Sequence, residues 1–154
     1  MIVYSMLDVD LSSPAERSSM SSYQTRTELD ELMSLFFSAF TNTDGPPRTD
    51  RIHEVCIPQA TIISQAGDRS VVYDLDAFVV PRQRILTDGT LTEFSEWEVS
   101  ERTEIYGSIA HRFSEYRKSG VQNGERFEGG GHKTTQFVRT PSGWRISSLA
   151  WEDD

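Results

Sequence analysis

Residues 91–152, LTEFSEWEVSERTEIYGSIAHRFSEYRKSGVQNGERFEGGGHKTTQFVRTPSGWRISSLAWE, decide the fold. Apolar and polar side chains alternate through four runs, roughly 91–104, 107–118, 129–140 and 143–152, which is the period of strands with one buried face. Tyr106-Gly107, Ser119-Gly120 through Gly124, and Pro141-Ser142-Gly143 separate the runs. Connections this short join antiparallel neighbours, so the stretch predicts four long strands in a meander.

Upstream the period lengthens to that of a helix. Leu29, Leu32, Met33, Phe36, Phe37 and Phe40 fall on one helical face, Thr25 and Glu28 have capping-box spacing, and Asp44-Gly45-Pro46-Pro47 stops the run. This predicts a helix over about 26–42. A short helix over Asp50–Cys56 and a short strand over Ala60–Ser64 follow. Leu75, Phe78, Val79, Arg82, Ile85 and Leu86 predict a third helix, which Pro81 either kinks or ends early. Helices first and meandering strands afterwards make an α+β domain over 25–152. Residues 1–24 carry seven serines and Pro14, the composition of an arm that packs weakly.

Composition removes several function classes. Lys and Arg number 15 against 24 Asp and Glu, a net charge of −9, and no basic cluster offsets it, so nucleic acid is not an expected partner. One cysteine, Cys56, excludes an internal disulfide and fits a reducing compartment. A metal would have to rest on His53, His111, His132 and carboxylates; neither a metal nor a cofactor is expected. No apolar run nears the roughly 18 residues of a membrane span, and MIVYSMLDVD lacks a basic start and a long apolar stretch. The expectation is a cytoplasmic protein with no membrane partner.

The order of these segments resembles the nuclear transport factor 2-like superfamily. The resemblance rests on the Phe-rich helix, the short helix, the Pro-Gln-Ala-Thr strand, and Ile105-Tyr106-Gly107-Ser108-Ile109-Ala110-His111. A closing Gln136–Ile146 hairpin, with Phe137, Arg139-Thr140, Gly143 and Trp144-Arg145-Ile146, completes it. It covers about residues 25–152 and looks closest to SnoaL-like and other cystatin-like α+β domains. The resemblance implies a cone: a curved antiparallel sheet wrapped round about three N-terminal helices, with a central pocket, commonly dimeric. Members include isomerases, dehydratases, cyclases, epoxide hydrolases and binding modules, so fold alone does not assign function.

Compared residue by residue, the isomerase base and oxyanion donors fall on Ser64, Phe36 and Thr135, which cannot run that mechanism. Two inward carboxylates for epoxide hydrolysis are not found on the central strands, and most of Glu93, Glu96, Glu98, Glu101 and Glu104 are expected on a solvated face. Alternation sends His111 and Phe113 to one face and Ala110, Arg112, Ser114 and Tyr116 to the other, and the resemblance implies that this second set faces the pocket. Arg112 with Tyr116 could hold a ligand anion, unless Arg112 pairs with Glu101 or Glu104.

His111, Arg112 and Tyr116 are the catalytic candidates; His111 and His132 stay open as a dehydratase-like pair. The expected ligand pocket is Phe36, Phe40, Ser64, Phe78, Trp97, Arg112, Tyr116, Thr135 and Ser148. Gly129-Gly130-Gly131 before His132-Lys133-Thr134 lacks the order of a phosphate loop and suggests a bend or bulge instead. The outer sheet face carries Leu149 and Trp151, or Ile146 and Ala150, depending on register. A homodimer through Leu149 and Trp151 is expected to cover it. The resulting expectation is a binding protein for a small apolar ligand, with a SnoaL-like isomerase, dehydratase or cyclase and a protein-interaction module as alternatives.

Overall fold

The computed structural model describes residues 14–154. Its helices are α1 (Pro14–Ser38), α2 (Arg51–Val55) and α3 (Leu75–Thr87). Its strands are β1 (Cys56–Ala66), β2 (Arg69–Tyr73), β3 (Leu91–Tyr106), β4 (Ile109–Gln122), β5 (Glu125–Thr140) and β6 (Gly143–Asp153). They form one curved, open sheet in the order β2-β1-β6-β5-β4-β3. The pairs are antiparallel except β1 with β6, which is parallel and brings the early strand beside the last one. This is the expected α+β arrangement, with the helices on one face.

Helix α1 starts well before residue 26. Pro14 takes a first-turn position, where its missing N–H costs nothing, and Thr25 lies inside the helix rather than capping it. Thr27 Oγ1 donates to the Tyr23 carbonyl at 3.1 Å, as an interior helical residue can. Tyr23 is exposed, and the buried stripe begins at Leu29 and runs through Leu32, Met33, Phe36, Phe37 and Phe40. Residues 14–24 of the expected arm are therefore helical, while 1–13 lie outside the described residues. Each stripe side chain contributes roughly 1.5–3 kcal/mol by leaving water. Phe36 and Phe40 also meet Phe78 of α3, with ring centroids 6.3 and 5.6 Å apart.

Helix α3 passes through Pro81 intact, with Asp74 accepting from the Ala77 amide at 2.8 Å as its N-cap. Strand β1 continues through Pro58 because β2 pairs only with Ile62–Ala66 and the β6 pairing is irregular between Cys56 and Thr61. Edge strand β2 was not anticipated. Strands β4 and β5 also extend further than expected. They meet at a two-residue Asn123-Gly124 turn with φ of 52° and 83°, the conformation an Asn-Gly hairpin favours.

Irregularities in β3 and β6 set which side chains enter the cone. Strand β3 shifts register between Thr92 and Ser95 and again between Glu98 and Ser100, with Glu93 at φ 49°. Asn42, just after α1, braces the first shift. Its amide donates to the Leu86 and Leu91 carbonyls at 3.0 and 2.8 Å, and its oxygen accepts from the Phe94 amide at 2.7 Å. Phe94, Glu96, Glu98 and Glu101 consequently turn inward. Strand β6 slips at Ser147, so Trp144 and Ile146 point inward before it and Leu149 and Trp151 after it. Leu149 is only 2% exposed, and Trp151 packs against the same core. They belong to the interior of one chain, which corrects the expectation that they form the intersubunit face.

Candidate functional site

Between α1, α3 and the inner faces of β3–β6 lies a cavity of about 270 Å³. Its apolar wall includes Phe36, Phe40, Phe78, Ile85, Leu91, Phe94, Phe127, Leu149 and Trp151. Arg82, Glu96, Tyr116, Lys118, Lys133 and Asp153 supply its charged and phenolic groups.

Those polar groups are tied to one another. Lys133 Nζ lies 2.6 Å from Glu96 Oε1, a short but poorly angled ion pair that leaves Oε1 without a hydrogen bond among the described residues. The same ammonium sits 4.0 Å from the Tyr116 ring centroid and 5.6 Å from that of Trp151. The Tyr116 hydroxyl donates to Asp153, which also accepts from Lys118 Nζ at 2.8 Å. Arg82 lies over the Phe78 ring, 4.0 Å from its centroid, with Tyr73 and Trp151 at 5.2 and 5.5 Å.

Burial and these partners move the titrations. Burial pushes the Tyr116 phenol far above its usual range, and Asp153 beside it adds to the rise. Burial pulls Lys133 down against the attraction of Glu96. Burial also opposes ionisation of Asp153, but its bonds from Lys118 and Tyr116 hold the carboxyl below the ordinary range. Burial lowers Arg82, opposed by Tyr73 and Glu96. Cys56, away from the cavity, is pushed up to about 12 by burial, which makes it an inert thiol.

The glycine run shapes the site. A side chain on Gly131 would meet the Tyr116 hydroxyl, and one on Gly130 the Tyr116 carbonyl, so these glycines let β4, β5 and β6 close round the phenol.

Of the expected pocket residues, Phe36, Phe40, Phe78 and Tyr116 line the cavity. Ser64 and Ser148 do not; the β6 slip places Ser148 on the face opposite Leu149. Trp97 is 45% exposed and outside the cavity, because the β3 shifts give the inward positions to Phe94, Glu96 and Glu98. Thr135 is buried, with Oγ1 unpartnered among the described residues, and does not reach the cavity.

Arg112 is 1% exposed and spent on structure. It contacts Asp30 at 2.5 Å, Glu98 at 3.2 Å and Glu101 at 3.6 Å, and its Nε donates to Thr103 at 2.8 Å. Arg112 and Tyr116 thus share a strand face but not a site. His111 and His132 both lie on the outer face, His111 3.7 Å from Glu104 and His132 stacked on Phe113, so neither reaches the cavity.

Sequence reasoning missed Arg82, Glu96, Lys118, Lys133 and Asp153. For Lys118 and Lys133 the signal was present, since alternation places them with Tyr116 and with Thr135 and Phe137. Glu96 was hidden by the register shifts. The expectation that inward carboxylates were lacking is corrected: Glu96 and Asp153 line the cavity, and Glu98 faces inward to Arg112.

A second depression, of 560 Å³, lies between α1 and the β5–β6 turn, where Gln24, Thr25, Glu28, Arg139 and Thr140 give it polar walls. Among the described residues no group of three or more His, Cys, Asp or Glu is placed to hold a metal ion, and no helix is long and apolar enough to cross a membrane.

The arrangement is the nuclear transport factor 2-like (NTF2-like), cystatin-like fold. A hexachlorocyclohexane dehydrochlorinase, LinA type 2, superposes with a TM-score of 0.73 at 12% identity, covering 88% of this chain and 89% of that one. An NTF2-like superfamily protein from Salmonella enterica superposes at 0.70 with 13% identity, covering 86% and 92%. A protein with a cystatin-like fold from Caulobacter vibrioides superposes at 0.65 with 13% identity, covering 85% and 90%. At these identities the likeness is one of fold. No protein-family model and no curated protein matches the chain.

Proposed function

We propose that this chain is a small-molecule-binding protein whose ligand is compact and largely apolar and is held rather than chemically changed. The observation that carries the reading is the aromatic cavity of about 270 Å³ inside the cone. Pockets for small molecules are mostly apolar with a few placed polar groups. Its volume suits a body of one or two rings. Binding is favoured over catalysis because the potential bases are engaged, Glu96 by Lys133 and Asp153 by Tyr116 and Lys118. A cone whose interior side chains leave a cavity rather than a packed core is also poor support for a module that only docks proteins.

One observation favours a second reading, a SnoaL-like isomerase, dehydratase or cyclase. Lys133 brings a buried ammonium to the cavity wall, where it could stabilise developing negative charge.

Saturation-transfer NMR with a panel of one- and two-ring compounds tests the binding reading. Binders are expected among them, and Ile85→Trp, which fills the cavity from its wall, is expected to abolish their signals. Equal signals from wild type and variant would overturn the reading.

A homodimer through the outer sheet face belongs to the same proposal. Its support is the apolar surface that Trp97, Tyr106, Ile109 and Phe113 leave exposed. Sedimentation is expected to give twice 17.5 kDa, and Phe113→Glu to give a folded monomer. A wild-type monomer at micromolar concentration would overturn it. The lone buried Cys56 supports a reducing, cytoplasmic setting.

A further inference from the structure

We propose that the cavity selects a ligand with one negative charge, a compact aromatic monocarboxylate, and that Arg82 reads its head group. The inference rests on the binding reading above and adds the chemical class of the ligand. The cavity is lined by three cations, Arg82, Lys118 and Lys133, and two carboxylates, Glu96 and Asp153. Counted formally, its lining has one more cation than carboxylates, inside a chain whose net charge is −9.

The two lysines are neutralised locally, Lys133 by Glu96 at 2.6 Å and Lys118 by Asp153 at 2.8 Å. Arg82 differs. Among the described residues no carboxylate lies within 4.0 Å of it, and Nη1 donates to the Phe78 carbonyl of its own helix at 3.0 Å. Phe78, Tyr73 and Trp151 place their rings about the guanidinium and the Tyr73 phenol also favours its charged form, but neither ring nor phenol replaces a carboxylate acceptor for the remaining N–H groups. A planar fork of donors against aromatic walls matches a planar carboxylate on a flat apolar body. Glu96 acts on Arg82 as well, but it is tied to Lys133, and together with Asp153 it disfavours a dianion.

Isothermal titration of the full chain at pH 7 with 2-naphthoate and with 2-naphthylmethanol tests this, because the pair shares a ring system and differs in charge. The carboxylate is expected to bind about 10- to 100-fold more tightly, the range of a charge-assisted hydrogen bond. Arg82→Gln is expected to bring the two ligands within about threefold of each other, and Arg82→Lys to fall between. Equal affinities in wild type, or a preference that survives Arg82→Gln, would overturn the anion assignment and leave small-molecule binding standing. Failure of both ligands to bind at millimolar concentration would overturn the binding reading and this inference with it.

Discussion

A Cβ on Gly131 would lie 2.5 Å from the Tyr116 hydroxyl and would press on the Glu152 carbonyl of the neighbouring strand. Backbone cannot yield as a flexible side-chain end can, so Gly131→Ala is expected to destabilise the fold by about 1–3 kcal/mol or more in urea unfolding. At Gly129 the nearest atom is Lys118 Cε at 3.3 Å, the far end of a flexible side chain, and Gly129→Ala is expected to cost less. Equal midpoints for the two variants would show that Gly131 is not needed for strand closure.

Removing Arg112 strands the carboxylates of Glu98 and Glu101 beneath α1. Arg112→Ala is expected to cost about 3–5 kcal/mol, since breaking a buried pair leaves charge without compensation. Asp30 is 56% exposed, so Asp30→Asn is expected to cost about 1 kcal/mol or less by the same denaturation measurement. A small effect at Arg112 would mean that water replaces it.

Thr135 makes the opposite prediction. Its buried hydroxyl has no partner among the described residues, so Thr135→Val removes an unmet polar group without opening a void. Stability is expected to rise by about 1 kcal/mol, and a fall would reveal a hydrogen bond to water.

Tyr116 sets an alkaline signature. Its folded pKa is raised above the ordinary 10, so the folded state keeps a proton that the unfolded state loses. The stability this gives is full below about pH 10 and declines as pH rises beyond it. Tyr116 is expected to resist ionisation in the ultraviolet spectrum until unfolding, and Tyr116→Phe to abolish that late step. Ionisation of all five tyrosines in the folded protein would contradict it.

The architecture was legible because long alternation and a six-residue helical stripe depend on local periodicity, which Leu29 to Phe40 and residues 91–152 display in full. The site was less legible because register is not local. The shift near Glu93 is braced by Asn42 with Leu86, Leu91 and Phe94, which joins residues 44 to 52 positions apart, and those near Val99 and Ser147 are features of pairing between strands that local periodicity does not set. Those shifts moved Trp97 outward, Glu96 inward, and Leu149 and Trp151 from the expected interface into the interior. Arg112 shows a further limit: alternation placed it inward, but whether it meets a ligand or carboxylates depends on how α1 crosses β3 and β4.

The three tryptophans provide the most direct test of the cavity as the ligand site. Trp151 lines it, Trp144 lies in the core, and Trp97 is exposed on the outer face. In a ¹H–¹⁵N spectrum titrated with 2-naphthoate, the Trp151 indole resonance is expected to move most and to saturate, while that of Trp97 stays in place. Movement of Trp97 with Trp151 unchanged would place binding on the outer sheet face and contradict the account.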